Sequence, residues 1–172
     1  MKLKLLMTLA LFSRITTQTL AQTPPPKLDA SLIAFFTGEW SGEGKFANGQ
    51  PIAATLSFHP ALDSAWLVSE HRDQPPGQYK ANAYWGVDAG TGQFVATIFD
   101  NFQGHRSFTS SGWAGGRLVL TASSFMAGAG TYYEHFIYER QSDTQFKMSY
   151  ETSRDGITWR LGDSLVFTRK RG

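Results

Sequence analysis

The 172-residue chain contains no cysteine. That absence removes disulfide staples, thiolate nucleophiles and cysteine-ligated metals together, so the fold must rest on its own core. Long apolar runs are missing too. The most apolar segment, residues 5–12, falls well short of the roughly 20 residues that a membrane-spanning helix needs, so no membrane span is expected. Charge of one sign is not in excess, with 16 basic against 14 acidic residues, and a near-neutral body leaves no electrostatic footprint for nucleic acid. Arg169-Lys170-Arg171, the one basic cluster, reads as a solvated strand end. There is no Gly-x-Ser-x-Gly elbow and no HExxH pair; His71-Arg72-Asp73 spells a kinase catalytic-loop triplet without the other kinase motifs and is a coincidence.

What is present begins with two lysines, an apolar run and a polar stretch ending Thr19-Leu20-Ala21, the pattern of a secretory signal peptide over residues 1–21. A secreted or periplasmic location follows as the expectation. Removing that segment takes away Lys2, Lys4 and Arg14, so the net charge falls from +2 to −1. Residues 22–27 form a proline-rich leader, and residues 28–172 are expected to make one domain, long enough to bury a core unaided.

Within that domain only ASLIAFF, led by Asp29 as N-cap, has helical spacing, and Gly38 lies just past its end. From there the apolar period is two. Ile52, Ala54, Leu56 and Phe58 alternate with polar or small partners, as do Phe146, Met148 and Tyr150. Further strands are expected over 38–46, 64–72, 79–88, 93–101, 106–113, 117–124, 132–140 and 160–169. The breaks are short turns such as Asp88-Ala89-Gly90-Thr91-Gly92 and Arg154-Asp155-Gly156, which force neighbouring strands to be antiparallel. About ten such strands make an up-and-down meander, which loses its exposed edges by closing into a barrel; a two-sheet sandwich is the alternative.

The stretch GEWSGEGKF, residues 38–46, is strand-like yet holds three glycines. By parity Trp40, Gly42, Gly44 and Phe46 share one face, and the polar Glu39, Ser41, Glu43 and Lys45 share the other. The glycines then let the first strand coil and leave room for bulky neighbours inside. A Gly-x-Trp after a short helix at the start of a meander resembles the lipocalin and fatty-acid-binding superfamily. That resemblance implies that Trp40 plugs one barrel end under an arginine of the last strand, Arg169 or Arg171.

Residues 36–171 further resemble a bacterial lipocalin-like, calycin-type family, domain of unknown function 1579. The landmarks are Gly38-Glu39-Trp40-Ser41-Gly42-Glu43-Gly44; Tyr84-Trp85-Gly86-Val87-Asp88 running on to Phe94-Val95-Ala96-Thr97; Asp100; Gly112-Trp113 with Gly116-Arg117-Leu118; and Phe167-Thr168-Arg169-Lys170. Asp63-Ser64 departs from it, because the family usually carries a glycine pair there. The resemblance implies a fold and little chemistry.

Candidate chemistry is sparse. His59, His71, His105 and His135 form no metal-ligand pattern, so no metal or cofactor is expected. Nitrobindin-like haem proteins share the opening motif, but the segment where they carry the ligand histidine is Asp163-Ser164-Leu165-Val166-Phe167 here, which leaves only His71 or His135 as substitutes. Asp163 is in phase with Leu161, Leu165 and Phe167, so it either faces inward, sits at the rim, or is turned out by a bulge near Gly162. Asp100 and Glu70 are further rim acids, and His71, Asp100 and Asp163 are the candidates for proton transfer. Trp66, Trp85, Phe99, Phe108, Phe136, Met148 and Tyr150 are the candidate ligand-binding residues. Which parity of 64–72 faces inward is left open, because Trp66, Leu67 and Val68 split across both faces. The expected function is binding of a small apolar or amphipathic ligand in a barrel cavity. A small-molecule isomerase or hydrolase using rim Asp and His, a haem protein, and a filled barrel acting through its outer surface are the alternatives.

Overall fold

The computed structural model describes residues 26–102, 104–126 and 130–171. The expected signal peptide and most of the proline leader lie outside the described residues. Helix α1 (Ala30–Phe36) is followed by ten strands, β1 (Gly38–Phe46), β2 (Pro51–Ala61), β3 (Trp66–Asp73), β4 (Lys80–Val87), β5 (Phe94–Asp100), β6 (His105–Ser110), β7 (Arg117–Met126), β8 (Gly130–Ser142), β9 (Gln145–Ser153) and β10 (Trp159–Arg169). Each pairs antiparallel with its sequence neighbours, and β1 pairs with β10 to close the barrel. The sandwich alternative is thereby set aside.

Helix α1 starts where Asp29 caps it, its carboxylate accepting from the backbone N–H of Ser31 at 2.7 Å and of Leu32 at 3.1 Å. Its far end lies across one mouth of the barrel. There Phe36 is fully buried, with Phe58, Trp85, Trp113 and Phe146 rings all within 5.3 Å of its own, centroid to centroid. Trp40 packs against Phe146 at 4.8 Å and donates its indole N–H to the Phe36 carbonyl at 2.8 Å. The Arg169 guanidinium lies over the Trp40 ring at 4.2 Å and donates to the carbonyls of Phe35 and Thr37. Arg171 is exposed beyond the end of β10 and takes no part, because Arg169 is the residue paired with Trp40 and in phase with the inward Leu165 and Phe167.

The glycines of β1 act through close approach. A Cβ on Gly42 would lie 2.5 Å from the Phe167 ring, and one on Gly44 would lie 1.8 Å from the Ser164 backbone carbonyl. Strand β10 can therefore pack over β1 only if both positions lack a side chain.

Strands β7 and β8 run about two residues beyond their expected ends, and two further shifts bear on the interior. Strand β3 starts at Trp66, not at 64, because Leu62, Asp63 and Ser64 all adopt positive φ (49°, 56° and 61°) in the turn before it. This is the place where the resembled family carries glycines. Strand β6 ends at Ser110, and Trp113 instead packs on Phe35 and Phe36 at the plugged end. In β3, Leu67, Ser69, His71 and Asp73 face inward: Leu67 is fully buried, and the other three line interior space.

Gly44→Ala is expected to cost about 3 kcal/mol of stability in chemical denaturation, since the obstructing atom is backbone and cannot rotate away. Arg169→Met, which keeps the aliphatic stem but loses the two carbonyl bonds and the contact with Trp40, is expected to cost about 2 kcal/mol.

Candidate functional site

Because α1 and the large rings fill one end, the free interior volume lies at the other. A cavity of about 380 Å³ opens there, lined by residues that include Phe46, Ile52, His71, Asp73, Tyr79, Arg106, Phe136, Met148, Tyr150, Asp163 and Leu165. Phe102, 66% exposed, and Phe46, 36% exposed, stand at its entrance. A narrower continuation of about 30 Å³ runs deeper between Leu56, Ala81, Ala83, Ile98 and Tyr138. The small side chains at Ala81 and Ala83 make that continuation possible.

Two polar groups of residues meet in this half of the barrel. The first centres on Arg106, from the start of β6. Its Nη1 donates to Glu134 Oε1 at 2.7 Å, and its Nη2 donates to the Tyr79 hydroxyl at 2.9 Å and to Asp100 Oδ2 at 3.2 Å. Tyr150 adds a donated bond to the same Glu134 oxygen at 2.8 Å. Glu134 is only 3% exposed, so its charge depends on these partners. Burial opposes the Arg106 charge, but Tyr79 and Glu134 more than offset it and hold its pKa above the ordinary value. Burial pushes the Tyr79 hydroxyl up to about 12 and Tyr150 up as well, so both remain protonated, Tyr79 accepting from Arg106 and Tyr150 donating to Glu134.

The second group comes from β3 and β10. His71 Nε2 and Asp73 Oδ1 are 2.9 Å apart, and Asp163 shares the cavity with them. A bulge does occur at Gly162, where the β9–β10 register shifts between Leu161 and Asp163, but it turns Leu161 outward (46% exposed) and leaves Asp163 facing in. Asp163 Oδ1 is buried without a hydrogen-bond partner. Burial raises the Asp163 pKa to about 6, with the neighbouring His71 lowering it and Asp73 raising it further.

Of the candidate ligand-binding residues, Phe136, Met148 and Tyr150 line the cavity. Trp85 is buried at the plugged end, among Phe36, Phe58, Phe94 and Tyr138. Phe108 is buried behind Phe136, edge-on at 5.5 Å. Trp66 and Phe99 belong to the outer face. Trp66 covers Gly86, and Phe99, 49% exposed, stacks on His105, because each is out of phase with the inward residues of its strand. Asp100 is occupied in shaping the β5–β6 turn, accepting from the backbone N–H of Phe102 and Gly104 as well as from Arg106, and it does not face the cavity as a free acid. Glu70 pairs with Arg72 on the outside.

For haem, the two substitute ligands do not fit. His135 is stacked on Trp159 at 3.4 Å, with burial there pulling its pKa below the ordinary value, and it lies out of phase with the inward Glu134 and Phe136. His71 faces the cavity, but its Nε2 is held by Asp73. Among the described residues no group of three His, Asp or Glu side chains could hold a metal ion, and no helix is long and apolar enough to cross a membrane.

Among the residues that the sequence reading did not mark are four that build the polar groups: Asp73, Tyr79, Arg106 and Glu134. A parity signal was present for three of them. Arg106 precedes the inward Phe108 by two, Glu134 precedes Phe136 by two, and Asp73 follows His71 by two. Tyr79 lies in the loop before β4, where parity gives no information.

No family model matches the chain, and no curated protein matches it. Among solved structures the chain is similar to Rv2717c from M. tuberculosis, at 16% identity over 84% of this chain and 99% of that one, with a TM-score of 0.51. It is also similar to a de novo designed fluorescence-activating β-barrel (10% identity, 83% and 100% covered, TM-score 0.47) and to a redesigned β-barrel (17% identity, 81% and 95% covered, TM-score 0.35). At these identities the likeness concerns the fold alone.

The raised pKa of Asp163 has a definite sign. The folded state binds this proton more tightly than the unfolded chain, so the stability it contributes is full below about pH 4 and is lost as pH rises to about 6. Asp163→Asn is therefore expected to gain about 2 kcal/mol on the parent between pH 4 and pH 7. Denaturation curves at both pH values check this, and an unchanged difference would refute it.

Proposed function

We propose that the barrel binds a small apolar or amphipathic molecule in the cavity at its open end, as a secreted or periplasmic protein of the bacterial lipocalin-like kind, domain of unknown function 1579. The observation that carries this reading is the cavity itself. Its volume of about 380 Å³ falls in the range of small-molecule sites, and apolar and aromatic walls surround a few convergent polar groups. Affinity would come from apolar burial at roughly 25 cal/mol per Å². The family and location rest on the sequence landmarks and the N-terminal pattern, and the ten-stranded closed barrel is the fold that the resemblance implies.

A second reading, an isomerase or hydrolase, is favoured by one feature. His71, oriented by Asp73, and Asp163, with a pKa near 6, face the same space, as a general acid and base would. The two readings separate on Asp163→Asn. A binding protein keeps its affinity for an uncharged apolar probe and an enzyme loses turnover.

N-phenyl-1-naphthylamine is expected to brighten on one-to-one binding to the protein. Met148 lines both the cavity and its deeper continuation, so Met148→Trp should weaken that binding at least tenfold. A probe that stays dark with the parent protein, together with no small molecule retained in native mass spectrometry of protein from its own compartment, would overturn the binding reading.

A further inference from the structure

The cavity is not electrically neutral. Among the described residues two carboxylates, those of Asp73 and Asp163, line it together with the Arg106 guanidinium and the His71 imidazole, and two more, those of Asp100 and Glu134, stand behind the wall as partners of Arg106. Arg106 is already shared between Glu134 and Asp100, and His71 is already bonded to Asp73. Asp163 has no such counterpart: its Oδ1 is buried and without a donor among the described residues. Phe46 and Tyr150 are its cross-strand partners, and the rings of Tyr79, Phe102 and Phe136 line the same cavity; aromatic π faces attract cations. A carboxylate-bearing ligand would meet Asp73 and Asp163 with like charge, and a purely apolar one would leave the Asp163 oxygen unpaired.

Resting on the reading of this cavity as a binding site, we propose that its ligand is a protonated amine on an apolar body, the ammonium group donating to Asp163 among these rings and the body filling the space beside Met148 and Leu165. One N–H⁺ then supplies both the charge and the donor that the site lacks. The titratable and charged groups that share the cavity with Asp163 are His71 and Asp73 from β3, Tyr79 from the loop before β4, Arg106 from β6 and Tyr150 from β9, with Glu134 of β8 paired to Arg106 behind the wall; β1 presents Phe46. The two tyrosines stay protonated and Arg106 stays charged from pH 4.5 to 7.5, so over that range acidification removes negative charge at Asp163 and cannot add any.

The test compares octylammonium, octanol and octanoate on the full chain by titration calorimetry. At pH 7.5 octylammonium is expected to bind at least tenfold more tightly than octanol, with octanoate weakest. Asp163→Asn should bring the ammonium-to-octanol ratio within about threefold. In the parent protein the ratio should fall on going to pH 4.5, an arm that needs no variant. Octanol binding as tightly as octylammonium, or a preference that survives both Asp163→Asn and pH 4.5, would overturn the amine assignment and leave the cavity reading standing. Failure of all three probes to bind would overturn the cavity reading, and the assignment with it.

Discussion

Three consecutive carbonyls at the end of α1 decide the arrangement of the whole molecule. A helix leaves its last carbonyls without partners, and in a barrel mouth stripped of water they must be met by side chains. Here Phe35 and Thr37 accept from Arg169 and Phe36 accepts from the Trp40 indole, so the first and last strands bind the helix at the seam where the barrel closes. The Arg169 guanidinium carries positive charge to the negative end of the helix while lying over the Trp40 ring. Closure, helix docking and the plug are thus one set of contacts.

That set determines where space can exist. Phe36, Trp40, Trp85 and Phe146 fill the plugged end completely, whereas Ala54, Ala81, Ala83, Ala96 and Ala122 face inward along the walls. Ten strands enclose more volume than the eight-stranded case, whose interior side chains can nearly fill. With large rings gathered at one end and alanines along the sides, the surplus volume falls at the other end. There the cavity narrows inward between Ala81 and Ala83 until Tyr138 closes it.

Most of this was legible from the period of two. The strand positions, the Asp29 cap, the crowding that needs Gly42 and Gly44, and the inward phase of Asp163 all follow from local sequence. The reading went astray where residue type was allowed to outweigh phase: Trp66 and Phe99 are aromatic, but each is out of step with the inward residues of its own strand. Even correct phase assigns a residue only to the inside. It does not say how high in the barrel the residue sits, which is why Trp85 and Phe108 are interior without reaching the cavity. Nor could spacing show that Arg106 reaches Glu134, 28 residues away in sequence, because that meeting depends on the closure of the barrel.

The two polar sets of the open half differ in a way that bears on what the site does. The Arg106 set is almost closed upon itself: Tyr79, Asp100, Glu134 and Tyr150 all join it, and such a network fixes β5, β6, β8 and β9 relative to one another. Donors are therefore plentiful in this region, yet among the described residues none reaches Asp163 Oδ1, and the carboxylate stays inside because it keeps the phase of Leu165 and Phe167 past the bulge at Gly162. Under the proposed amine assignment, that unpaired oxygen is the acceptor for the ligand's ammonium group. On the proposed reading of the cavity as a binding site, the Arg106 network ties together strands that carry its aromatic walls, and the polar specificity would lie with Asp163 and the His71–Asp73 pair that share the cavity.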